Sequence, residues 1–200
     1  MIVRLNLERA LLPFVSSQPV SNGLGMKHLS SPEQIWEAIQ ADPCWLDWQE
    51  GRLTPREWHE HISRQMCVNM TFDQFCRAWN DALDPQTILP DQLFAQLATR
   101  CRLALLSNTD PIHVARLESH FSFVRYFPVR IYSNEVGASK PSPVIYRVAL
   151  AALGVLPSEA LYIDDIAEYA EAARQLGLDG IRFENAEQLS RDLAQRGLLP

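Results

Sequence analysis

The sequence predicts an α/β fold: a parallel sheet with helices on both faces, interrupted near its start by an inserted block of helices. Three observations point there. The apolar runs Leu103-Ala104-Leu105-Leu106 and Ala160-Leu161-Tyr162-Ile163 each end in polar residues and lead into a helical pattern, as buried parallel strands do. From residue 91 onward such runs alternate with segments of helical period. All five tryptophans fall between residues 31 and 84, where the pattern is helical.

The first strand is Ile2-Val3-Arg4-Leu5-Asn6-Leu7, with Leu11-Leu12-Pro13-Phe14 ending its exit loop. A central parallel strand is normally apolar throughout, so Arg4 and Asn6 are out of place; their spacing puts them on one face, which Glu8 continues. Residues 15–29 read as a loop. Ser31-Pro32 opens a helix with Ile35, Trp36 and Ile39 inside, Thr54-Pro55 one with Trp58, Ile62 and Met66, and Thr71 one with Phe72, Phe75 and Trp79. An aromatic stripe at helical spacing reads as core before it reads as a substrate pocket. His59 and His61, two apart, point to different helix faces and read as surface residues, not a metal pair.

A helix over 91–99 leads into the strand ending at Leu106. Ser107-Asn108-Thr109-Asp110-Pro111 follows, in which Asp110 suits a helix cap and Pro111 the first helical position. The helix runs to about residue 120. Then come a strand over 128–132, a polar loop over 133–141, a helix to about residue 153 and the strand that ends in Asp164-Asp165. A helix over 167–176 stops at Gly177, and a strand over 180–183 and a helix over 187–195 complete the chain. The expected architecture is a Rossmann-like parallel sheet (residues 1–14 and 90–200) with an inserted helical cap (15–89), and a ligand site at the strand carboxyl ends.

Composition narrows the function. Of 200 residues, 47% are hydrophobic and 21% charged, enough to bury a sizeable core. A net charge of −6 provides no basic surface for nucleic acid, and no Lys/Arg run suits an anionic membrane. Cys44, Cys67, Cys76 and Cys101 form no CxxC pair. With no secretory apolar region and no bilayer-length run, the expectation is reduced thiols in a cytoplasmic protein, ahead of disulfides or zinc.

The strand ends share one chemistry. Ser107, Asn108 and Thr109 offer donors to anionic oxygens beside a helix N-terminus, Lys140 a fixed positive charge, and Asp164 with Asp165 the hard oxygens that suit Mg²⁺. Leu105-Leu106-Ser107-Asn108-Thr109, Val136-Gly137-Ala138-Ser139-Lys140-Pro141 and Tyr162-Ile163-Asp164-Asp165 match in order the second, third and fourth motifs of one family. With the cap stretch Glu50-Gly51-Arg52-Leu53-Thr54, they make the chain resemble the haloacid dehalogenase (HAD) superfamily of phosphohydrolases. The similarity is to the branch with a helical cap after the first strand, which includes small sugar-phosphate phosphatases and the phosphatase domain of soluble epoxide hydrolase. The resemblance implies that Ser107 and Asn108 bind the transferring phosphoryl group, that Lys140 neutralises it, and that Asp164 and Asp165 hold Mg²⁺.

The first motif departs from that family. The shared Leu11-Leu12-Pro13-Phe14 tail aligns Asn6 with the Asp that attacks phosphorus and also binds Mg²⁺, with Glu8 two residues on and Arg9 next. A neutral amide is a poor nucleophile, its loss of charge weakens a metal site, and removal of a nucleophile costs on the order of 10⁴-fold or more. Tyr169 stands where related phosphatases often have Asn, and Ile166 at a usually polar position. Glu8 reads as a solvated loop carboxylate, or else as an acid, base or surrogate nucleophile. Arg4 reads as reaching solvent, or else as pairing with Asp164 or Asp165 in place of the metal. The expectation is an inactive or strongly impaired phosphatase that binds a small phosphorylated molecule or a protein partner. The alternative is an active Mg²⁺-dependent phosphomonoester hydrolase for a small sugar phosphate or similar substrate.

Overall fold

A computed structural model describes residues 31–200, preceded by the backbone of three short strands, β1 (Val3–Leu5), β2 (Val20–Ser21) and β3 (Met26–Lys27). Asn6, Glu8, Arg9, the Leu11-Leu12-Pro13-Phe14 tail and the Arg4 side chain lie outside the described residues.

The cap is built by local rules. Helix α1 (Pro32–Gln40) has Ser31 as N-cap, accepting from the Gln34 N–H, and Pro32 in its first turn. Helix α2 (Trp45–Gln49) follows a short link. Helices α3 (Pro55–Gln65) and α4 (Phe72–Asn80) open with complete capping boxes, Thr54 with Glu57 and Thr71 with Gln74. Their inner faces bury Ile35, Ile39, Trp48, Trp58, Ile62 and Phe75 completely, with Trp48 and Trp58 stacked at 5.6 Å. The aromatic stripe is therefore core, as its spacing indicated. The two histidines are half-buried rather than plain surface residues. The His59 ring lies on Phe75 with Nε2 2.9 Å from the Met70 carbonyl oxygen, and His61 lies on Trp58 with Nε2 2.9 Å from both Asp42 oxygens. They do point to different sides of α3, but the neighbouring chain covers both sides.

Strand β4 (Leu83–Thr87) follows the cap and pairs antiparallel with β1, Val3 opposite Thr87 and Leu5 opposite Leu83. This pairing gives the first strand an antiparallel neighbour and puts a strand at residues 83–87, where the helical block was expected to run to about residue 84. The chain returning from the insertion runs back along the strand it left, and that return is antiparallel. Beyond it lie α5 (Asp91–Ala98), β5 (Ala104–Ser107), α6 (Pro111–His120) and β6 (Val129–Tyr132). They are followed by a one-turn helix α7 (Ser133–Val136), where only loop was expected, then α8 (Pro143–Leu153), β7 (Leu161–Asp164), α9 (Ala167–Gln175), β8 (Asp179–Arg182) and α10 (Ala186–Gln195).

The pairs β5·β6 and β7·β8 are parallel, with Ser107 opposite Tyr132 and Asp164 opposite Arg182 at their carboxyl ends. Alternate strand residues enter different cores. Leu105, Leu161 and Ile163 pack with Phe94, Phe123 and Leu193; Leu106 and Tyr162 pack with Ile145, Tyr146 and Ala173. This period of two is the signature of strands covered on both faces. Among the described residues no helix is long and apolar enough to cross a membrane.

Candidate active site

Strand β5 delivers Ser107 to the sheet edge, and α6 begins four residues later under an Asp110 cap whose Oδ1 accepts from the Ile112 and His113 N–H groups, both at 3.0 Å. Between them, Asn108 grips the loop before α8. Its Oδ1 accepts from the Lys140 N–H at 2.7 Å, and its Nδ2 donates to the Lys140 carbonyl at 3.0 Å. The amide thus imitates a strand partner and fixes the backbone that carries Lys140.

The Lys140 ammonium donates to Asp164 Oδ2 at 2.7 Å and to the Leu106 carbonyl at 3.4 Å. Both side chains of the ion pair are nearly buried, 9% and 8% exposed. Tyr162, two residues before Asp164 and so on the same strand face, donates its hydroxyl to the same oxygen at 2.5 Å. The Ile166 N–H donates to Oδ1 at 3.0 Å. Burial pushes the Asp164 carboxyl up, but the Lys140 charge and three hydrogen bonds outweigh it and hold the group below the usual carboxylate range. Burial and the adjacent carboxylate push the Tyr162 phenol up, so it stays a donor. The Tyr169 ring lies 4.9 Å from the ammonium, and its hydroxyl accepts from Asn108 Nδ2 at 3.4 Å.

The cap reaches this assembly through Gln49, Glu50 and Gly51. Ser133, fully buried at the start of α7, accepts from the Thr109 N–H at 2.9 Å and donates to the Gln49 carbonyl at 2.7 Å. Glu50 Oε1 accepts from the Ser139 N–H at 3.0 Å. Gly51 (φ +71°) sits so close to Asn134 that a Cβ there would lie 2.1 Å from its carbonyl oxygen.

The structure therefore brings together Ser107, Asn108, Lys140 and Asp164, with half-buried Asp165 next in the chain; Asn6 and Glu8 lie outside the described residues. The side chain of Asn108 is taken up by the Lys140 backbone and the Tyr169 hydroxyl. Among the described residues the donors to the Asp164 carboxylate are Lys140, Tyr162 and the Ile166 N–H. Tyr162, Glu50 and Ser133 were not singled out as site residues from sequence; the two-residue spacing from Asp164 is the signal that marks Tyr162. For Mg²⁺ the donor set fits in kind: Asp164 keeps Oδ1 with a single backbone donor, and Asp165 adds a second carboxylate. Ser139 Oγ, beside Lys140 in the chain, is buried without a hydrogen-bond partner among the described residues, which suits a pocket made for a polar ligand.

A family model described as haloacid dehalogenase-like hydrolase matches residues 33–177. Flavin mononucleotide hydrolase 1 of Arabidopsis thaliana, a chloroplast protein, is 32% identical over 192 residues, covering 93% of this chain and 72% of its own. D-ribitol-5-phosphate phosphatase of Bacteroides thetaiotaomicron is 22% identical over 151 residues, covering 72% and 73%. Among solved structures, a HAD family enzyme of Bacteroides thetaiotaomicron in complex with magnesium and inorganic phosphate superposes with a TM-score of 0.72 at 26% identity, over 94% of this chain and 93% of that one.

Proposed function

Because this chain belongs to the haloacid dehalogenase-like hydrolases, we propose that it binds a small phosphorylated molecule together with Mg²⁺ and hydrolyses it weakly or not at all. The observation that carries this reading is the Lys140–Asp164 pair at 2.7 Å, a cation fixed at the strand ends beside Ser107, set against Asn6 at the nucleophile position. Lys140 and Ser107 bind the phosphoryl oxygens; Asn108 and Tyr162 act behind them, one fixing the Lys140 backbone and the other the Asp164 carboxylate. Asp164, Asp165 and the Asn6 amide oxygen hold Mg²⁺, which offsets phosphate charge when bound. Turnover in this family of reactions needs an anionic oxygen to attack phosphorus in line. Asn6 supplies none, and Glu8 is the nearest carboxylate in sequence.

Flavin mononucleotide and D-ribitol 5-phosphate, named for two of the relatives, both end in a ribityl phosphate, and a ligand of that class is the favoured one. A second reading, an active Mg²⁺-dependent phosphomonoesterase, is favoured by the completeness of the described half of the site. We place the protein in the cytoplasm, a compartment that suits the four cysteines, all free thiols.

The test is phosphate release from flavin mononucleotide and from a generic aryl phosphate with Mg²⁺, in the unmodified chain, Asn6→Asp and Lys140→Ala. Ligand binding without turnover in the unmodified chain, with turnover gained in Asn6→Asp, supports the leading reading. Turnover in the unmodified chain that Lys140→Ala abolishes establishes the second. Neither binding nor turnover in any form refutes both.

A further inference from the structure

We propose that Asp42, Cys44 and His61 form a metal site in the cap, separate from the carboxylates of the sheet and suited to Zn²⁺ rather than to Mg²⁺. The three residues come from three places. Asp42 lies just past α1, Cys44 is the N-cap of α2, and His61 is in the middle of α3. Each offers one ligand atom, a carboxylate oxygen, a thiol sulfur and an imidazole nitrogen, and these atoms lie within 4.8 Å of one another with all three residues half-buried.

The geometry is already arranged. The His61 Nε2 faces both oxygens of Asp42 at 2.9 Å, and the Cys44 N–H donates to Asp42 Oδ1 at 2.8 Å, so the carboxylate is aimed from two sides. The His61 ring is held against Trp58, centroids 5.7 Å apart and planes 23° apart, which fixes the direction of Nε2. Tetrahedral Zn²⁺ takes sulfur at about 2.3 Å, and nitrogen and oxygen at about 2.0–2.2 Å, so its donors stand roughly 3.5 Å apart. From there the Asp42–His61 pair opens slightly and the thiol closes in.

Chemistry separates this site from the other one. A mixed sulfur, nitrogen and oxygen set selects a borderline-soft ion, whereas Asp164 and Asp165 present hard oxygen alone. One carboxylate and one thiolate balance two positive charges, so the occupied site is neutral, as a half-buried site requires. On binding, the Cys44 thiol proton goes to solvent, and the Nε2 proton that faces Asp42 is exchanged through solvent for one on Nδ1, leaving Nε2 to the metal. Three protein ligands leave a fourth position for water, and the ion ties α1, α2 and α3 together.

The test uses the full chain, stripped with a chelator and titrated with Co²⁺ and then Zn²⁺. The expected result is a thiolate-to-cobalt charge-transfer band saturating at one equivalent and displaced by Zn²⁺. It should be lost in Cys44→Ser and His61→Ala, and retained in Cys67→Ser, Cys76→Ser and Asp164→Asn. As a second readout that needs no variant, Zn²⁺ should protect Cys44, and not Cys67, from alkylation. Absence of the band in the unmodified chain, its persistence in Cys44→Ser, or unprotected Cys44 under saturating Zn²⁺ would each overturn the proposal.

Discussion

Replacing His113 by Ala should cost about 3–5 kcal/mol, the range for stranding one partner of a buried ion pair. Asp110 joins cap and core: its Oδ2 accepts from Trp79 Nε1 at 3.0 Å and lies 2.9 Å from His113 Nδ1, while His113 Nε2 lies 2.8 Å from the Trp79 carbonyl oxygen. Both ring nitrogens thus face acceptors, and only the imidazolium can donate to both at once. Burial opposes each charge, but the partner's charge and the hydrogen bonds prevail, raising the His113 pKa and lowering that of Asp110. The His113 contribution is therefore full below its unfolded pKa of about 6.5 and declines as pH rises through the folded value. The Asp110 contribution is present above about pH 4 and declines as pH falls through its lowered folded value. Urea unfolding followed by tryptophan fluorescence at pH 6 and at pH 9 measures the His113 contribution. The gap between the unmodified chain and His113→Ala should be widest at pH 6 and should shrink at pH 9. A loss below about 1 kcal/mol, the scale of an exposed pair, or a gap that does not change with pH, would refute the reasoning.

Three further outcomes follow from the same structure. Gly51→Ala should loosen the cap, since its Cβ would meet the Asn134 carbonyl at 2.1 Å and its φ is +71°; a cost of about 1–3 kcal/mol and faster proteolysis around residues 49–54 are expected. Thr54→Ala removes the capping box of α3 and should lower stability by about 1 kcal/mol in the same urea assay. Tyr162→Phe takes one of the two donors from Asp164 Oδ2, so the Asp164 carboxyl should titrate at a higher pH, read by NMR of the labelled side chain, with the fold unchanged.

Local signals were legible in the sequence. Ser31, Thr54, Thr71 and Asp110 cap the helices they open, because a cap is decided within four residues of chain. The apolar runs ending at Leu106 and Ile163 become the parallel strands that deliver Ser107 and Asp164. What was not legible depends on partners far along the chain. Leu83-Asp84-Pro85-Gln86-Thr87 carries no strand alternation and is a strand because β1 lies beside it. Asp42 and His61, nineteen residues apart, meet only once α1 and α3 have packed. Tyr169, which as a sequence feature was only a departure from Asn, is the ring against the Lys140 ammonium.

The single hydroxyl of Ser133 carries more than its own two bonds. It takes the Thr109 N–H, one residue beyond Asn108, and gives its proton to the Gln49 carbonyl of the cap. A ligand that draws the Ser107–Thr109 turn toward itself therefore works against the same atom that anchors the cap, and a displaced cap alters what that turn can offer a ligand. Cap position and ligand affinity are two readings of one free energy, equal in both directions, and a substitution at Ser133 would change one only by changing the other.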